Sequence, residues 1–126
     1  MKLQNLGILI VAFKSDKLIG KILNNLKSFN VIIIENSKSY DFKHNVEKNY
    51  PNVKCIIPED NLGYGSALNL GFKNYKFENY LILNPDVEIT ENQVIEIYEC
   101  ASNNPNISVL APSTIDNKNR TNIRHG

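Results

Sequence analysis

What this sequence has little of narrows its function before any motif is read. Its 126 residues include only two cysteines. Cys55 and Cys100 lie far apart, each within an apolar pattern, so buried free thiols are expected in place of a disulfide or metal clip. That usage suits a reducing, cytosolic setting. His44 and His125 have no partner spacing for zinc and read as surface residues. Neither sign of charge is in excess: 14 Lys and Arg stand against 13 Asp and Glu. No net field draws the chain onto nucleic acid or an anionic membrane, and an anionic ligand must be gripped locally. The apolar run from Gly7 to Phe13 is too short to span a bilayer and lacks a small-residue cleavage site, so it reads as a strand and not as a signal or transmembrane segment. Internal repeats and low-complexity linkers are absent. So are a P-loop and a glycine fingerprint after the first strand, which argues against a dinucleotide-dependent oxidoreductase. Asparagine, in contrast, is frequent, and on sequence grounds this is a compositional bias.

What is present suits one α/β domain. With 42% hydrophobic residues, a chain of this size forms one core and buries roughly two-thirds of its unfolded surface. The expected domain covers residues 1–115, with a polar tail over 116–126. Gly7 to Phe13 is apolar without alternation, as in a parallel strand covered on both faces. Ser15 offers an N-cap to a helix carrying Leu18, Ile19, Ile22, Leu23 and Leu26 on one face and ending near Phe29. Val31 to Ile34 is a second strand. Phe42, Val46 and Tyr50 then mark a short helix stopped by Pro51. Val53 to Ile57 is a third strand, followed by a helix on which Ala67, Leu68, Gly71, Phe72 and Tyr75 share a face, with Gly71 permitting close approach to the sheet. Tyr80 to Leu83 is the fourth strand, and Thr90-Glu91-Asn92-Gln93 has capping-box spacing ahead of a helix whose buried side is Val94, Ile95, Tyr98 and Ala101. Asn104-Pro105 ends it, and Val109 to Ala111 is a fifth strand. This alternation predicts an open, mostly parallel sheet with helices on both faces.

In such sheets ligands bind beyond the carboxyl ends of the strands. The residues there form a set: Phe13 and Lys14, then Glu35, Asn36 and Ser37, then 60–65, then 84–86. Asn61-Leu62-Gly63-Tyr64-Gly65-Ser66 places two glycines before a helix, where main-chain N–H groups can face a phosphate. The same spacing also fits a tight turn with Ser66 as N-cap. Asp86, at a strand end behind Pro85, suits Mg²⁺ or Mn²⁺ shared with phosphate oxygens, or else is a solvated turn residue. Glu35 is either an acceptor for a nucleobase N–H or a plain strand-end charge. Lys14 either meets a phosphate or stays in water, and Glu88 carries no signal of its own.

Four stretches in this order resemble the family 2 glycosyltransferases of GT-A fold, in particular the rhamnosyltransferase-like branch. They are Ile10-Val11-Ala12-Phe13-Lys14, Ile34-Glu35-Asn36-Ser37, the run from Asn61 to Gly71, and Leu83-Asn84-Pro85-Asp86-Val87, which is similar to a variant of the family's Asp-x-Asp metal motif. The resemblance runs from about Leu6 to Asp116. It implies that the Ala12, Phe13 and Lys14 backbone lines the nucleoside pocket, that Glu35 faces the nucleotide base, and that Asn36, Asn61, Gly63, Gly65, Asn69 and Asn84 lie at the nucleotide donor. It also implies that Asp86 binds a divalent cation, Mg²⁺ or Mn²⁺, on the donor diphosphate. The reaction implied is inverting transfer from a nucleotide-diphosphate sugar to a hydroxyl acceptor such as a glycan. The family's general base lies in a later stretch, so no residue here is given that role, and the chain is expected to be the donor-binding half of a longer domain.

Three positions depart from the family pattern: Lys14 replaces an asparagine, Glu35 an aspartate, and Asn84 one carboxylate of the metal motif. A catalytically incomplete nucleotide-sugar-binding module is the alternative reading. An edge or apolar face left uncovered by the missing half favours self-association. A cytoplasmic, membrane-peripheral location is expected.

Overall fold

The computed structural model describes residues 3–104 together with 114–115 and 121–122. The chain divides into two units, Met1–Glu91 and Asn92–Gly126, and every candidate site residue belongs to the first. In that unit four strands, β1 (Leu6–Ala12), β2 (Asn30–Glu35), β3 (Val53–Ile56) and β4 (Asn79–Leu83), form one sheet in the order β3-β2-β1-β4. All three pairings are parallel. The expected open α/β sheet is therefore the fold of this unit.

The helices α1 (Asp16–Leu23), α2 (Tyr40–Asn49) and α3 (Gly63–Asn74) are the crossovers. The chain steps from β1 to β2 to β3 in one direction and then returns past β1 to β4. Right-handed crossovers then place α3 on the opposite face from α1 and α2. Strand alternation fits this: Leu9, Ile32 and Ile34 cluster with Ala67 of α3, while Ile8, Ile10, Val31 and Ile33 point the other way and are equally buried. Gly71 lets α3 approach as expected. A Cβ there would overlap Leu9 Cδ2 and come within 3.1 Å of Ile34 Cδ1.

The edge strand β3 is partly closed by α2. Glu47 accepts the Cys55 N–H at 2.9 Å, and the Lys43 ammonium donates to the Cys55 carbonyl. Burial pushes the Glu47 carboxyl up, but the Cys55 N–H and the Lys43 ammonium outweigh it and hold the group below its ordinary value. The Cys55 thiol is buried and free, and burial raises it to about 12.

Three expectations are corrected here. The first helix ends at Leu23, not near Phe29. Leu26 and Phe29 are buried, but on turns whose carbonyls both accept the Asn52 side-chain amide at 2.8 Å. Leu18 is 49% exposed, because the inward stripe of so short a helix is filled by Ile19, Ile22 and Leu23. Cys100 is free as expected but exposed.

In the second unit, α4 (Glu91–Ser102) buries Val94 and Tyr98, and Thr114–Ile115 pairs antiparallel with Thr121–Asn122. Pro105, the strand expected over 109–111, His125 and most of the expected tail lie outside the described residues. Among the described residues, no helix is long and apolar enough to cross a membrane.

Candidate functional site

The site is organised from the exit of β2. Glu35 is 1% exposed. Its Oε1 accepts the Ser37 N–H at 3.2 Å and the Ser37 hydroxyl, and its Oε2 accepts the Ser39 N–H at 2.7 Å. These donors replace the water a buried carboxylate loses. Ser39 in turn caps α2 by accepting the Phe42 N–H at 3.2 Å. Asn36, also buried, donates its main-chain N–H to the Ala12 carbonyl at 2.8 Å. Its side chain donates to the Gly63 carbonyl at 2.9 Å and accepts the Leu62 N–H at 3.4 Å. Ser37 Oγ accepts the Lys14 N–H at 3.0 Å. The exits of β1 and β2 and the glycine loop are thus joined by direct bonds.

At the β1 exit Lys14 has φ 51°. Its Cβ is crowded in this left-handed conformation, which costs an ordinary residue about 1–2 kcal/mol. The Lys14 ammonium lies 5.5 Å from the centre of the half-exposed Phe13 ring. Ser15 stands at the N-cap position without capping α1 through its side chain. Its hydroxyl turns back to the Phe13 N–H and carbonyl, each at 3.2 Å.

The glycine loop is a helix start. α3 begins at Gly63, so Ser66 lies inside it, and the tight turn with Ser66 as N-cap is not what forms. Three bonds hold the earlier start: Asn61 Oδ1 accepts the Gly63 N–H at 2.9 Å, and the Asn36 side chain bonds Leu62 and Gly63 from the side. Gly63 has φ 72°, and the space beside Gly63 and Gly65 is open. The N–H groups of a first helical turn have no acceptor within the helix. Asn69 is exposed one turn further along α3.

Asn84 and Asp86 are exposed after β4, in a turn closed by the Val87 N–H on the Asn84 carbonyl at 3.1 Å. A cavity here is lined by Asp86 and its neighbours to Glu88, and by Lys17, Leu18, Lys21 and Ile22 of α1. It opens where the chain reverses direction between β1 and β4, the place where open α/β sheets hold ligands. Lys21 meets Glu88 at 2.9 Å, and that bond holds the Glu88 carboxyl below its ordinary range. Asn25 donates to the Ile89 carbonyl at 3.0 Å and fastens the same segment to the end of α1. The two lysines of this lining carry no motif and lie on the polar side of α1, away from its buried Ile19, Ile22 and Leu23. Their i, i+4 spacing just after β1 was the available signal.

Among the described residues, no group of three or more His, Cys, Asp or Glu side chains forms a self-contained metal site. Asp86 is a single hard oxygen donor. A divalent cation held there would need its other donors from a ligand or water.

Comparison with known proteins agrees with this architecture. The profile of glycosyl transferase family 2 matches residues 8–126. The low-salt glycan biosynthesis hexosyltransferase Agl10 of Haloferax volcanii is 25% identical over 119 residues, covering 90% of this chain and 38% of that protein. The crystal structure of S. aureus TarS superposes with a TM-score of 0.68 at 20% identity, over 79% of this chain and 20% of that one. Residues 1–349 of TarS give 0.66 at the same identity, over 79% and 33%. At that identity the likeness is one of fold. The chain spans 38% of the length of the curated relative it matches.

Proposed function

The chain belongs to glycosyl transferase family 2, and on that premise we propose that the carboxyl edge of its sheet binds the nucleotide-diphosphate sugar that donates in sugar transfer. The observation that carries this reading is the bonding of Lys14, Asn36 and Gly63 into one edge, which presents the Ala12 to Lys14 main chain, the Phe13 ring and the first turn of α3 together. A helix start with open space at two glycines suits phosphate oxygens. Asn61, Asn69 and Asn84 are the polar side chains assigned to the donor. Asp86 is the residue that would hold Mg²⁺ or Mn²⁺, which when bound supplies positive charge to the departing diphosphate.

Within the family, the four motifs favour the rhamnosyltransferase-like branch, with inversion at the anomeric carbon and a hydroxyl acceptor such as a glycan. We assign the acceptor and the general base to chain beyond these residues, so the part played here is donor binding. The hexosyltransferase relative is longer, this chain covering 38% of it.

Titration of the purified chain with uridine and thymidine diphosphates, with and without Mn²⁺, tests the reading. Binding strengthened by Mn²⁺, with that gain lost in Asp86→Ala, is expected. No binding of either nucleotide would remove it.

A further inference from the structure

We propose that Glu35 is a positioning residue of the donor edge and not the group that reads the nucleobase. The inference rests on the donor-binding reading for its ligand, but its structural basis is independent of any ligand. A residue that reads a base must present its carboxylate to the site. That of Glu35 is 1% exposed, and both of its oxygens already accept hydrogen bonds from the turn that follows it.

What these bonds do is transmit order outward. Because the Ser37 hydroxyl gives its only hydrogen to Glu35, the lone pairs of Ser37 Oγ are left for the Lys14 N–H at 3.0 Å. That bond reaches the residue whose left-handed φ of 51° needs support from its surroundings. On the other oxygen, the Ser39 N–H is held while the Ser39 hydroxyl caps α2. Between the two, Asn36 is aimed at Gly63 and Leu62. One buried carboxylate therefore sets the β1 exit, the start of α2 and the residue that grips the glycine loop. Two acceptor oxygens suit this place, since the main-chain N–H groups of Ser37 and Ser39 face one each. An amide would set its own N–H₂ against one of them.

The test uses the full chain and two variants, Glu35→Gln and Ser37→Ala, the second leaving the carboxylate in place while cutting its link to Lys14. Affinities for uridine and cytidine diphosphates are measured, because uracil offers a donor at N3 where cytosine offers an acceptor. A positioning role predicts that both variants lose about tenfold in affinity for both nucleotides, the scale of one charge-assisted hydrogen bond, with the uridine-to-cytidine ratio kept. A ratio that changes tenfold in Glu35→Gln but not in Ser37→Ala would overturn it. Amide hydrogen exchange of the unliganded proteins is the second readout. Exchange at Lys14 is expected to quicken about tenfold in both variants while Leu9 and Ile33 in the sheet stay protected, which shows the fold intact. Unchanged exchange at Lys14 would refute the relay even if no nucleotide bound, an outcome that would by itself count against the donor-site reading alone.

Discussion

The side-chain amide of Asn36 donates to the main-chain carbonyl of Gly63 at 2.9 Å, joining the residue after β2 to the first residue of α3. This bond is a large part of why the glycine loop is helical from Gly63 onward. Asn36→Asp replaces the donor by a carboxylate facing a carbonyl oxygen. The substitution is expected to destabilise the fold by about 1–3 kcal/mol and to weaken nucleotide binding. Urea unfolding and nucleotide titration of the same preparation check both.

Gly71 is the closest approach of α3 to the sheet, against Leu9 and Ile34. Gly71→Ala would gain helix propensity on an exposed helix, but here the added methyl overlaps a fully buried side chain. A net loss of about 1–3 kcal/mol in unfolding free energy is expected, as for other overpacked cores. A stability equal to or above wild type would mean that the α3 contact is looser than described.

Lys14 holds φ 51° at the β1 exit, where the family pattern has asparagine, a residue that tolerates the left-handed region. Lys14→Asn is expected to raise unfolding free energy by about 0.5–1 kcal/mol. It should also weaken the salt dependence of nucleotide binding, because a cation at the site is removed. Denaturation and titration at two ionic strengths read the two effects separately.

Glu47, bonded to the Cys55 N–H and to Lys43, is held below its ordinary 4.5. The folded state therefore keeps this carboxylate charged at lower pH than the unfolded chain does. Its contribution is complete above pH 4.5 and is lost as pH falls through the lowered folded value. A partly exposed pair is screened by water, so the amount is about 0.5 kcal/mol. Glu47→Gln should flatten that part of the stability profile below pH 4.5, as measured by urea unfolding across the acid range.

Much of the first unit was legible because β1 and the centre of β2 are continuous apolar runs and each helix repeats its buried residues at helical spacing. Gly71 could be read as a contact residue for the same reason. The use of asparagine could not. Asn25, Asn36 and Asn52 each hold backbone carbonyls from distant segments, and which carbonyl a fold leaves open is settled only when the chain has folded. What read as compositional bias is in part the means by which loops are tied down. Glu35 was placed correctly at a strand end, but its direction depends on the turn over 36–39. The start of α3 at Gly63 is not legible in the sequence because propensity disfavours glycine in a helix, and tertiary bonds from Asn36 override it.

The central claim is that the exits of β1 and β2, the start of α3 and the exit of β4 form one donor site. Amide chemical shifts of the ¹⁵N-labelled chain, titrated with uridine diphosphate and then with a trace of Mn²⁺, address it most directly. The account predicts shifts at Lys14, Asn36, Gly63 and Gly65 on adding nucleotide. Mn²⁺ should then broaden signals at Asp86 and Val87 only while nucleotide is present. Saturating nucleotide that leaves all four of those amides unmoved, or that shifts a different surface, would contradict it.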